Sequence, residues 1–571
     1  MENNHQFINP YNFIPLSQKC KRISYHNEQT YSGYISCELQ TLTPLIMIDS
    51  SQEQKEEHAI YEKSFMLKGK PAIPASELRG MIRNKFEILT SSCLASAQKE
   101  LSFFGRHNGN MRNPGLLDFS DPQHIKLYAC KKYKVEKYHK DYNRLKNYKT
   151  GSLVSFNIKQ NRKKKEVFIC SNGSHQGYVK IGETFRSTEA IHIFEIEKEE
   201  TNIENQNDLE KMYIEICKTY ENNLEKVHNT ESDGKYRPVW YEKAGNYVYF
   251  SLGQNGQTKN KKRLKDLVDK SYLPCQKKEA LCEACSVFGT VQNDLAIASK
   301  VRFEDAYLIE NNRPYYVTKK PIILDELSSP NYQNALFYMR LYEDGELVDY
   351  STQLFWNVDF KSRFSMKQKE NQFLNNHEIQ IRGRKQYWHH QPDLHKKVEQ
   401  TKRNVSVIPL NDQLFFKFKV YFDDLTESQL EHLHMAICLG NDSSYAHKLG
   451  LGKPLGYGSV KIKTKEIIYK DVQYHNGQFQ YILHEYHPQY QTIEQAFSDL
   501  EEEQMYAIQH MFDTKFIQGQ IVDYPKNYPN GKIYEWFDQN KKNHEKLVLP
   551  FADFDYDYIV QEGFKNRKKK K

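Results

Sequence analysis

No stretch of this chain runs to about 18 consecutive apolar residues, which argues against a membrane-crossing helix. The first residues, MENNHQFINPYNF, lack the basic-then-apolar order of a secretion signal, so a cytoplasmic location is expected. A disulfide framework is missing too. Of ten cysteines, Cys20, Cys37, Cys93, Cys130, Cys170, Cys217 and Cys438 stand singly, and only Cys275, Cys282 and Cys285 cluster. Charge of one sign is not in large excess: +8 over 571 residues leans mildly toward a polyanionic partner. Neither GxGxxG before a helix nor a GKS/GKT phosphate loop occurs, so no nucleotide cofactor is expected. Carboxylate pairs with magnesium-site spacing and a Ser/His/Asp arrangement are likewise not found.

Aromatics are plentiful, at 13% with 40 tyrosines, and such rings suit base stacking. Residues 1–32 read as an irregular arm. GYISCELQTL then alternates, with Ile35, Cys37, Leu39 and Thr41 on one face, as a strand does. A helix follows in PAIPASELRGMIRNKFEILTSS, with Ser76 as N-cap and Leu78, Met81, Ile82, Phe86 and Leu89 at helical spacing. SKVRFEDAYLI reads as a strand. So does LFFKFKVYF, where Phe416, Phe418, Val420 and Phe422 face one way. LTESQLEHLHMAICLG is a second helix, with a Thr426/Gln429 capping box and a stop at Gly440. GSVKIKTKEII is the last strand.

With the rest set aside, the order is βαββαβ. The expected class is α+β: a ferredoxin-like, RRM-like core with a large insertion and a C-terminal extension. The expected divisions are an arm at 1–32, the first core half at 33–105, an insertion at 106–275, the second core half at 276–466 and an extension at 467–571 with the basic tail NRKKKK. The insertion holds basic runs, a helix near NDLEKMYIEICKTYENNLEKV and aromatic strands of a small sheet. In RRM domains the sheet face meets single-stranded RNA.

Three segments suit a phosphate backbone. HKLGLGKPLGYGSVKI places Gly450, Gly452, Gly456 and Gly458 between a helix and a strand, the reverse of a dinucleotide-binding loop. Its backbone can form anion-binding nests or lie flush against another backbone, while His447, Lys448, Lys453 and Tyr457 flank it. A tight turn needing positive φ explains the same glycines. In SELRGMIR, Arg79 and Arg83 lie four apart, and a phosphate would relieve their repulsion; Glu87 can do so instead. IQIRGRKQYWHHQ offers Arg382, Arg384 and Lys385 to phosphates and Tyr387, Trp388 and His389 to bases, or forms a buried aromatic anchor.

PAIPASELRGMIRNKFE, CEACSVFG, SKVRFEDA and HKLGLGKPLGYGSVKI occur in the order found in RAMP-superfamily proteins of CRISPR effector complexes, which the chain resembles. FINPYNFIPL and RGRKQYWHH add a likeness to a long-chain, type III-associated branch. The resemblance implies a backbone-type subunit of a type III-like complex in antiviral defence, with guide RNA, target single-stranded RNA and other effector subunits as partners. It places Ser76, Arg79, Arg83 and the loop from Gly450 to Gly458 against the guide. Ala75-Ser76-Glu77 stands where the family usually has Gly-Ser-Ser, so Glu77 sits near the expected phosphates. Asp49 matches the aspartate with which such subunits often cut target RNA, through a divalent cation such as magnesium, and a loop-capping or solvated aspartate explains it equally well. Cys275, Cys282 and Cys285 form a C-x6-C-x2-C set that either packs as free thiols or is completed by a histidine as a structural zinc site, as in some relatives. Two other readings stay open: a stand-alone endoribonuclease processing guide precursors, with a histidine such as His26 as acid or base, and a non-catalytic protein scaffold.

Overall fold

The computed structural model describes residues 8–524 except 24–28, 50–58, 62–63, 99, 101, 107–112, 122–123, 162–163, 183–189, 220–234, 255–256, 293, 310–311, 328–337, 344–345, 348–376 and 442–443. His26 and the basic tail therefore lie outside the described residues. The chain divides into two compact units: Met1–Lys99 with Lys265–Pro330 and Ile381–Lys571, and Glu100–Leu264 with Asn331–Gln380.

In the first unit we number elements in chain order: β1 (Tyr11–Ile14), β2 (Thr30–Thr41), β3 (Lys70–Ile73), α1 (Ala75–Leu89), α2 (Glu283–Phe288), β4 (Val301–Phe303), β5 (Ala306–Ile309), β6 (Arg384–Tyr387), β7 (Phe415–Thr426), α3 (Glu427–Cys438), β8 (Ser459–His475), β9 (Gln478–Glu485) and α4 (Glu502–Phe512). The central sheet runs β8–β2–β7–β5–β3, antiparallel throughout, with β4 also on β7 and β9 also on β8. Reduced to β2, α1, β4–β5, β7, α3 and β8, this is the ferredoxin-like βαββαβ unit with its strands in the spatial order fourth, first, third, second.

Alternation decides which face is covered. Ile35, Cys37, Leu39 and Thr41 of β2 and Phe416, Phe418, Val420 and Phe422 of β7 are buried, and their neighbours in sequence point the other way. Both helices pack on that buried face and on each other, bringing Leu78, Ile82 and Phe86 into one core with Leu430, Leu433 and Ile437. Each such side chain contributes about 1.5–3 kcal/mol relative to its exposed state. The capping box on α3 forms as expected, and Leu439 and Gly440 end the helix with φ of 58° and 79°. On α1 the cap differs. Pro74 is the N-cap residue, Ser76 sits inside the first turn, and the Ala75 N–H donates to Asp305 Oδ1 at 2.6 Å. A carboxylate from a distant segment thus replaces the local cap.

The N-terminal arm is not wholly irregular. Tyr11–Ile14 is a buried strand that pairs antiparallel with Arg384–Tyr387. Two segments far apart in sequence therefore make one ribbon.

The second unit holds an eight-stranded antiparallel sheet, larger than the small sheet expected. A helix at Leu209–Thr219 packs Leu209, Met212 and Ile216 against Val239, Val248 and Phe250.

Candidate nucleic-acid interface and metal centre

The three segments singled out from sequence meet in the first unit. Gln386 of β6 joins its ribbon to α1: its side-chain oxygen accepts from Lys85 Nζ at 2.9 Å, and its nitrogen donates to Asn84 at 2.8 Å. Lys448 and Lys453 of the glycine loop line the same cleft, which has a volume of about 310 Å³. Lys85, Lys385, Tyr387 and the rim residues Ser76, Glu77 and Gly80 complete it. Four lysines from three elements thus face one carboxylate.

The ribbon also shows which of its side chains turn inward. Arg382, Arg384, Gln386 and Trp388 are buried, whereas Lys385 and Tyr387 are half-exposed. That is the period-two pattern of a strand with one covered face. Arg384 Nη1 pairs with Glu87 at 2.9 Å, and its Nη2 donates to the Ser92 and Cys93 carbonyls at 2.6 and 3.0 Å. Trp388 packs near Phe516, with ring centroids 5.6 Å apart. His389 and Ser459 Oγ are hydrogen-bonded at 3.0 Å, and His447 bonds the Ile437 carbonyl at 2.9 Å. Burial pushes both imidazoles down, His447 to about 3, so each is neutral at pH 7. The charge at the cleft is carried by lysine.

On α1, Arg83 pairs with Glu87 at 2.8 Å, and Arg79 donates to the Phe288 carbonyl at 2.5 Å. Desolvation, with Arg83 adding to it, lowers the Arg79 pKa. Ser76, Glu77 and Gly80 are exposed along the helix start.

All four loop glycines have positive φ, between 70° and 96°. Gly458 shows the tightest approach: a Cβ there would lie 1.9 Å from the Leu449 carbonyl oxygen. At Gly450 it would lie 2.4 Å from the Ile46 carbonyl oxygen. The protein's own backbone therefore fills the space that these glycines leave. Tyr457 is buried within the fold. Leu451 is exposed, and Lys453 is half-exposed. Lys448 Nζ donates to the Gly456 and Tyr457 carbonyls at 3.3 and 3.1 Å. Burial lowers Lys448 to about 7 and Lys385 to about 8.

A second constellation lies past the end of α1. Cys93, Cys275, Cys282 and Cys285 are buried with all four sulfurs within 4.8 Å of one another. Cys93 Sγ is 3.7, 3.5 and 3.6 Å from those of Cys275, Cys282 and Cys285. A tetrahedron with metal–sulfur bonds of about 2.3 Å has edges of about 3.8 Å, so the four thiols fit a closed tetrahedral metal site. Cys93 is the fourth member, where a histidine was expected. Arg22 Nη1 donates to Cys275 Sγ at 2.6 Å, and the Cys282 N–H donates to the same sulfur at 3.3 Å. A tetrathiolate site around a divalent ion has net negative charge, which the guanidinium offsets.

Asp49 is half-buried, one residue past the Ile48–Ser64 bridge. Among the described residues, only the cysteine set groups three or more metal-ligating side chains, so Asp49 joins no such group there.

The RAMP superfamily model matches residues 38–214, which take in the end of β2, all of α1 and Cys93. Over that stretch, about a third of its length, the chain is similar to the RAMP superfamily. The α+β architecture agrees with the ferredoxin-like fold of that superfamily. No curated protein matches the chain. No helix among the described residues is long and apolar enough to cross a membrane.

Proposed function

We propose that this protein is a guide-RNA-binding subunit of a type III-like CRISPR interference complex. The carrying observation is the cleft between α1, β6 and the glycine loop, where Lys385, Lys448 and Lys453 converge beside Tyr387. Lysine ammoniums bind phosphate oxygens regardless of sequence, and the tyrosine ring offers a base a stacking partner. On this reading Lys385, Lys448, Lys453 and Tyr387 touch the strand. Arg384, Trp388, His389 and His447 act beneath them and hold the ribbon and loop in place. Ser76, Arg79 and Arg83 lie along α1 beside the cleft, and the loop from Gly450 to Gly458, whose glycines pack against the protein itself, carries Lys453 to it.

The four cysteines would hold zinc as a structural ion. It would supply only a rigid tetrahedral anchor there, tying residues 92–93 to α2.

The test is binding of short single-stranded RNA to the purified full chain across a salt series. Affinity should fall steeply with salt, because bound lysines release condensed counterions. Salt-independent or undetectable binding would leave the scaffold reading instead. For target cleavage, Asp49→Ala should stop magnesium-dependent cutting while RNA stays bound. Cutting at the wild-type rate by that variant would remove Asp49 from the reaction.

A further inference from the structure

The cleft has a feature that RNA binding at its surface does not explain. Lys85, in the third turn of α1, is only 4% exposed. Its ammonium meets the Gln386 side-chain oxygen at 2.9 Å and sits 3.5 Å from the Phe512 ring centroid. Lys448 has two backbone carbonyls as partners. Among the described residues, no carboxylate lies within ion-pair distance of either ammonium. Neutral oxygens and an aromatic face compensate a buried cation only in part, so burial lowers the pKa of both amines, and an arriving anion would favour their protonated forms. Hydrophobic residues of the same size would pack this position more stably, so the two lysines mark a place where a negative charge arrives.

We infer that Lys85 and Lys448 form the floor of a subsite for a single phosphate group, with Lys453 at its rim. The inference deepens, and rests on, the RNA reading of the cleft. Its geometry favours a phosphate over a carboxylate, because four lysines on three elements line the cleft and no planar guanidinium does. Arg79, Arg83 and Arg384, the nearby arginines, have the Phe288 carbonyl or Glu87 as partners. Glu77 at the rim disfavours a second anion beside the first. One phosphate therefore fits this cleft, and the rest of an RNA strand would extend outside it.

The experiment is thermal unfolding of the full chain in inorganic phosphate against chloride at equal ionic strength. Phosphate should raise the melting temperature by about 2 °C or more at saturation. The Lys85→Met variant should melt no lower than wild type in chloride and should lose the phosphate shift. Lys453→Gln, at the half-exposed rim, should fold normally and reduce that shift, which keeps the test decisive if Lys85→Met does not fold. An equal response to phosphate and chloride, or a full shift in both variants, would overturn the subsite. RNA binding measured in parallel separates the two claims. A phosphate shift without RNA binding sinks the RNA reading and keeps the subsite; RNA binding without a phosphate shift does the reverse.

Discussion

Gly458 and Lys453 sit five residues apart and answer to different demands. Gly458 has φ of 75° and faces the Leu449 carbonyl at a distance that leaves no room for a Cβ. Gly458→Ala should therefore destabilise the fold by about 1–3 kcal/mol, seen as a lower melting midpoint in denaturant with or without RNA. Lys453→Ala should leave that midpoint unchanged within about 0.5 kcal/mol. It should weaken RNA binding and lower the slope of log affinity against log salt by about 1. An unaltered slope would show that Lys453 does not meet a phosphate. The glycines were visible in the sequence, but what approaches them was not, because Leu45 to Met47 and Gln391 to Pro392 arrive from far along the chain. Lys85 did leave a local trace. Leu78, Ile82, Lys85 and Leu89 fall at heptad spacing, so a lysine occupies a position that the α1 stripe reserves for apolar residues.

At the level of elements, the ferredoxin-like order was readable because each strand and helix carries its own periodicity. The ribbon of β1 and β6 was not, since pairing between residues 11–14 and 384–387 leaves no mark in either segment alone. The strand alternation within RGRKQYWHH was readable in principle: Trp388 shares its register with Arg384 and Arg382, which sets those arginines on the covered face. Cys93 was missed for a similar reason, standing 182 residues before Cys275. Its place matters to the end of α1. Arg384 donates to the Ser92 and Cys93 carbonyls and pairs with Glu87, so the cysteine knot, α1 and β6 share one junction. If the four thiols hold zinc as proposed, Cys93→Ser should lower zinc per chain by elemental analysis and reduce hydrogen-exchange protection in the last turn of α1. Full protection with full metal content would mean that three cysteines suffice.

For the whole molecule, the depressed lysines tie stability and RNA binding to pH in opposite directions. Burial holds Lys448 near about 7 and Lys385 near about 8 in the folded chain. In the unfolded chain both return to the ordinary lysine value of about 10.4. Between those limits the unfolded state carries more protons, so stability of the RNA-free protein should rise as pH increases from about 7 to about 10. Below about 7 both lysines are protonated in either state, and their contribution levels off. RNA prefers the protonated lysines, so its affinity should hold steady up to about pH 7 and then fall through about pH 9. Denaturant midpoints and RNA titrations at constant ionic strength read the two trends on the same samples. If the cleft receives the strand, they cross: the pH that firms the empty protein weakens its hold on RNA. Parallel trends, or an affinity flat across that window, would move the RNA away from Lys385 and Lys448.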